Sequence, residues 1–174
     1  SASKKPDRKK YLLYPQMPLH ELKYVFVTKP DDKIRQSWEQ NMDLSVIPDP
    51  IGIPLGFSIA EKLRRDTKAR IYEGAKDDEQ NLQLLLKDRV NSIVIESIVA
   101  KWAVNANNAS DKVQILDKRP YTKDGKRYYI TVSKKYGGNE TEAQKLVSEI
   151  DHHLKEMQTD GTTQKIVDSY LRSE

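Results

Sequence analysis

Cysteine is absent from this chain of 174 residues. Thiol catalysis, disulfides and cysteine-based zinc sites are excluded with it, while an oxidising compartment stays compatible with the composition. Long apolar runs are missing too, and no stretch of the sequence approaches the ~20 apolar residues that a membrane-spanning helix needs. The opening Ser1-Ala2-Ser3-Lys4-Lys5-Pro6 carries no apolar stretch of the kind found in a secretory leader, and reads as either an added or a processed end. Charge of one sign does not dominate: 30 basic and 26 acidic residues leave a formal net charge of +4, with both signs interspersed. The densest basic run, Lys4 to Lys10, reads as a solvated tail, so no nucleic-acid partner is expected. Internal repeats and long low-complexity segments are lacking as well.

Catalytic constellations are also missing. No Ser/His/Asp set sits on a recognisable elbow, and Gly52 with Gly56 does not make a phosphate-binding loop. His20 stands alone. His152 and His153 are adjacent on a predicted helix, hence on diverging faces, and make a poor metal pair. Tyr121, Tyr128 and Tyr129 lie in or beside strands, where packing competes with lining a cleft. The expectation is a chain without catalytic residues, metal ligands or cofactor.

What is present is enough apolar residue, 37% of the chain, for one good core or two small lobes under a surface rich in charge. The organising stretch is Ser92 to Trp102. Ser92-Ile93-Val94-Ile95 reads as a buried strand that ends at Glu96 and turns straight into a helix carrying Val99, Ala100, Ala103 and Val104. A second step of this kind runs from the strand Ile51–Leu55 through Gly56 to a helix near Ser58, with Ser58 and Glu61 spaced as a capping box. Between them, Lys68–Tyr72 reads as a short strand. Asp77 and Gln80 form another capping-box pattern, ahead of a helix with Leu82, Leu85 and Leu86 on one face. Leu22–Thr28, Val113–Leu116 and Tyr128–Ser133 are further strands, Ile34–Asn41 holds a short helix around Trp38, and Asp117–Lys126 is turn-rich. Strands alternating with helices predict an α/β fold with a mostly parallel sheet covered on both faces. From Asn139 the character changes to a long amphipathic helix with Ala143, Leu146, Val147, Ile150, Leu154 and Met157 on one stripe. A second helix after Gly161 carries Ile166, Val167, Tyr170 and Leu171.

In an open α/β sheet, ligands bind outside the carboxyl ends of the parallel strands. The turn Gly56-Phe57-Ser58 would offer backbone N–H groups and the positive end of a helix dipole to an anion such as a carboxylate. The competing reading is that Ser58 only caps its own helix. Glu96, at the other strand end, would accept from an ammonium group, against a competing reading as a solvated or Lys-paired strand-end acid. Together the two sites suit a zwitterion such as an amino acid.

The order of these pieces resembles the second half of a bacterial extracellular solute-binding protein, of the type that feeds polar amino acids to an ABC transporter. The segments that carry the likeness are YLLYPQMPL, KYVFVTKPDDKI, IGIPLGFSIAEKL, DDEQNLQLLLKDRVNSIVIESIVAKW, RYYITVSKKYGG and LVSEIDHHLKEMQTDGTTQKIVDSYL. They cover nearly everything after Lys10, in the family's order. The resemblance implies a periplasmic-binding-protein-like lobe that closes on its ligand by hinge bending. Its implied divisions are a basic tail and extended connector over 1–21, the second ligand-binding lobe with both hinge strands over 22–133, and helices over 134–174 that return to a first lobe absent from this sequence. It also implies that the turn at Gly56, Phe57 and Ser58 binds the ligand carboxylate and that Glu96 binds the α-amino group. Two positions depart from the family: Phe57 stands where a small hydroxyl residue is usual, and Glu96 where Asp is usual. The implied partners are a small polar ligand, the first lobe and transporter membrane subunits, in the periplasm or outside the cell. The two C-terminal stripes would be buried on another chain, on the second lobe itself, or in a dimer by swapping. A ligand-sensing input domain of a membrane receptor is the alternative of the same fold.

Overall fold

Short runs of β-branched and aromatic residues form the strands of this protein, and the amphipathic segments between them form its helices. The computed structural model describes residues 2–122 and 125–172; Lys123 and Asp124 of the expected turn lie outside the described residues. In chain order the elements are β1 (Leu12–Leu13), β2 (His20–Leu22), β3 (Tyr24–Thr28), α1 (Asp32–Asn41), β4 (Ile51–Pro54), α2 (Ile59–Asp66), β5 (Ile71–Ala75) and α3 (Asp78–Leu86). They continue with β6 (Ser92–Glu96), α4 (Ser97–Ala106), β7 (Gln114–Ile115), β8 (Lys126–Tyr128), β9 (Val132–Ser133), α5 (Glu140–Thr159) and α6 (Thr162–Arg172). They fall into two compact units, residues 23–123 with 171–174, and residues 1–22 with 124–170.

The larger unit is built on a five-stranded sheet of order β5-β4-β6-β3-β7. β4 runs parallel to β5 and β6, while β3 is antiparallel to both of its neighbours. The fold is thus α/β with a mixed sheet flanked by helices, and β3 is the exception to the parallel pattern. Side chains alternate between the faces with period two. Val25, Val27, Ile93 and Ile95 enter one core with Leu82 and Leu85 of α3 and Ala100, Ala103 and Val104 of α4. Phe26 and Val94 enter the other with Trp38 of α1 and Ile59, Ala60 and Leu63 of α2. Phe26 meets Trp38 edge to face, with ring centroids 5.0 Å apart. Trp38 Nε1 in turn donates to the Arg119 carbonyl at 2.9 Å. At Gly52 the backbone of β4 passes so close to α3 that an added Cβ would lie 2.5 Å from Asn81 Oδ1. The buried Asn81 amide donates to the Gly52 carbonyl at 3.1 Å.

Several boundaries differ from expectation for local reasons. The strand expected over Leu22–Thr28 is interrupted at Lys23, whose carbonyl accepts from Ser97 N, while Tyr24 N donates to Thr122 Oγ1. The strand expected at Lys68–Tyr72 begins only at Ile71, because Thr67 Oγ1 takes the Ala69 N–H and Asp49 takes both Arg70 N and Nε. The strand expected over Tyr128–Ser133 is two short pieces, β8 and β9.

In the other unit β2 pairs antiparallel with β8, and β1 with β9. The stripe of α5 finds cover within this unit: Ala143 and Val147 pack on Val132, with Leu13, Leu146 and Ile150 around them. The Asp151 carboxylate accepts from Gln16 N and Met17 N, which ties the proline-broken connector to α5. On α6, Ile166 remains exposed.

Trp38→Ala removes a buried ring and leaves the Arg119 carbonyl without its donor. It is expected to lower stability by about 3–5 kcal/mol in urea denaturation followed by circular dichroism. A loss under about 1 kcal/mol would mean that this core is not close-packed.

Candidate ligand-binding rim

Strand register determines which loops share an edge. Parallel pairing of Ile51 with Ser92 and Gly52 with Ile93 brings the carboxyl ends of β4 and β6 to the same side of the sheet. Pairing of Pro54 with Ala75 adds the end of β5. Three strand-to-helix turns therefore line one rim: Gly56-Phe57-Ser58, Asp77-Asp78, and Glu96-Ser97.

At the first turn Gly56 has φ +79°, with open space where a Cβ would stand. That backbone conformation suits glycine, and it directs the chain into α2. Phe57 turns inward and packs on the core with Trp38 and Leu63, so the position where a hydroxyl was expected serves packing. The expected Ser58–Glu61 capping box does not form. Ser58 is itself helical, at φ −62° and ψ −16°, and its side chain makes no cap hydrogen bond. The hydroxyl is therefore not committed to its own helix.

Glu96 is the opposite case. It is 5% exposed and caps α4: Oε2 accepts from Ile98 N at 2.9 Å and Val99 N at 3.0 Å, and Oε1 from Ser97 Oγ at 3.1 Å. These donors hold the carboxylate in place and use most of its accepting capacity.

At the middle turn Asp77 caps α3 by accepting from Gln80 N at 2.8 Å, and Gln80 Oε1 accepts from Lys76 N at 2.7 Å. The neighbouring acid, Asp78, was not singled out by sequence reasoning, although a doubled acid at a helix start was the available signal. Burial, then the charges of Asp77 and Glu96, raise its carboxyl from the ordinary 3.8 to about 6. Asp78 Oδ1 and Asn81 Oδ1 are both buried and find no partner among the described residues. Three residues apart on a helix, the two side chains are neighbours.

The tyrosines and histidines separate differently. Tyr121 is core: its ring packs on Phe26, and its hydroxyl donates to Asp66 Oδ2 at 2.8 Å. Burial and that carboxylate push the hydroxyl upward. Tyr129 packs edge to face on Tyr14, with the Lys4 ammonium 4.2 Å from its ring centre. His152 and His153, expected on diverging faces, both approach Glu156. A surface depression of about 570 Å³ lies at the opposite end of β4 and β5, lined by Asp43, Asp49 and Asp66 among others. These acids are already bonded, Asp43 to Ser45, Asp49 to Arg70, and Asp66 to Lys62 and Tyr121, which makes the depression a weaker candidate.

Neither a family model nor a curated protein matches the sequence. Solved structures do match its fold. Substrate-binding domain 2 of Lactococcus lactis GlnP in its open conformation superposes with a TM-score of 0.70 at 20% identity, covering 99% of this chain and 68% of that one. The Streptococcus pneumoniae amino-acid ABC transporter substrate-binding protein AbpA, bound to L-arginine, gives 0.63 at 17% identity, covering 98% and 65%. The Bordetella pertussis BvgS periplasmic VFT2 domain gives 0.62 at 15% identity, covering 97% and 65%. The protein therefore has the fold of a substrate-binding domain of the periplasmic-binding-protein type over almost its whole length. It spans about two thirds of the length of these structures.

The raised Asp78 carboxyl favours the neutral form in the folded state. Its contribution to stability is fully present below about pH 4 and is lost as pH rises through about 6. Asp78→Asn, which removes a partly buried charge beside Asp77 and Glu96, should raise stability at neutral pH by on the order of 1 kcal/mol after allowance for solvent screening. Paired urea denaturations at about pH 4.5 and about pH 7.5 test this. Identical pH slopes in the two proteins would contradict the assignment.

Proposed function

We propose that this chain is the second lobe, with adjoining segments, of a substrate-binding component of an ABC transporter that captures an amino acid or similar small polar solute. The observation that carries this reading is the juxtaposition at one rim of a glycine turn with an uncommitted hydroxyl and a fixed carboxylate, on adjacent parallel strands. The Gly56–Ser58 turn takes the ligand carboxylate, and Glu96, held by its own helix start, takes the α-amino group. AbpA, of the same fold, binds an amino acid.

On this reading the first lobe of the complete protein closes over the rim, and transporter membrane subunits receive the loaded protein. The chain is a binding module, without catalysis or cofactor, working in the periplasm or outside the cell. Among the described residues no helix is long and apolar enough to cross a membrane. The likeness to the BvgS VFT2 domain keeps a second reading, a ligand-sensing input domain of a membrane receptor.

Calorimetric titration of the complete two-lobed protein with polar, acidic and basic amino acids tests the proposal. One amino acid should bind in the micromolar range or tighter. Glu96→Gln, which keeps a capping oxygen while removing the charge, should weaken it by about tenfold to a hundredfold with the fold intact. Binding only of acids without an amine, indifferent to Glu96→Gln, would end the zwitterion reading.

A further inference from the structure

We propose that His152, His153 and Glu156 on α5 form a surface site for a divalent transition-metal ion of the borderline class that Zn²⁺ represents. The three residues project from consecutive turns of one helix, and the two histidines reach the carboxylate by different ring atoms. His152 uses the far nitrogen, Nε2, 3.3 Å from Glu156 Oε1. His153, one residue later, uses the near nitrogen, Nδ1, 3.0 Å from Oε2. That difference in reach compensates for the angle between adjacent positions on a helix, so the rings converge, with centroids 5.3 Å apart.

The spacing fits a shared ion. Taking one donor atom from each of the three residues, all lie within 4.8 Å of one another. In a tetrahedral zinc site, with metal–ligand distances of about 2.0–2.1 Å, neighbouring donors stand about 3.3 Å apart. Both His–Glu separations are already near that length, so closing the cluster needs a side-chain adjustment of at most about 1.5 Å. The donors are exposed, with side chains 67%, 71% and 55% accessible, so the ion needs no entry path and the rings move at little cost. Two imidazoles and one carboxylate suit Zn²⁺, Ni²⁺ or Cu²⁺, whereas Mg²⁺ and Ca²⁺ prefer all-oxygen shells. Three protein donors leave a coordination position to water, which places the site among weak, reversible ones.

The test is a calorimetric titration of Zn²⁺ into the full chain, prepared without a histidine tag, beside His152→Ala, His153→Ala, Glu156→Gln and His20→Ala. The substituted side chains of the cluster are solvent-exposed, and circular dichroism verifies that each variant is folded. Expected is saturable one-to-one binding in the micromolar range, weakened more than about tenfold by each of the three cluster variants and unchanged in His20→Ala. No saturable binding in that range, or affinity retained in any one of the three cluster variants, would overturn the assignment.

Discussion

The structure depends on one strand with no exposed face. All five residues of β6, Ser92 to Glu96, are buried, with β4 parallel on one side and β3 antiparallel on the other. Ile93 and Ile95 enter the core under α3 and α4, while Val94 enters the core under α1 and α2. Such a strand must be apolar on both faces, which is why its sequence shows an unbroken β-branched run. Its last residue has a second task. Glu96 ends the strand and caps α4, so the orientation of that helix and the position of a rim carboxylate are set by one side chain.

Glutamate is not among the favoured N-cap residues. Here its extra methylene lets the carboxylate curl back onto Ile98 N and Val99 N. The departure from the Asp usual in the resembling family is thus accounted for locally, by capping. With Asp77 and Asp78 at the neighbouring turn, the rim concentrates negative charge at the ends of three parallel strands, and this charge adds to burial in raising the Asp78 carboxyl. On the proposed reading this rim faces the ligand's amine, and the Gly56 turn, where the Ser58 hydroxyl makes no cap hydrogen bond, faces its carboxylate.

The alternating elements were legible because periodicity and β-branching act locally: β4 and β6 lie within a residue of their expected bounds, and the apolar positions expected on α3 and α4 enter or pack against the core. The Asp77 cap of α3 was legible for the same reason, although Gln80 accepts from Lys76 N and so does not close the expected box. The Ser58–Glu61 spacing misled because a capping box needs an extended cap residue, and the turn after Gly56 leaves Ser58 helical. The interruption at Lys23 depends on Thr122 and Ser97, which are far away in sequence. Burial of Asp78 and the close approach of Asn81 to Gly52 arise from helix-on-sheet packing, which no single segment encodes. The convergence of His152 and His153 depends on side-chain rotamers, and helical spacing alone points them apart.

The central claim is that the ligand sits on this rim. An amide NMR titration of the protein with the amino acid that binds it most tightly tests this directly. The account predicts that the largest shifts fall on Gly56, Phe57 and Ser58 and on Ile98 and Val99, whose N–H groups report on the Glu96 carboxylate. Shifts confined to the depression around Asp43, Asp49 and Asp66, with the rim silent, would contradict it.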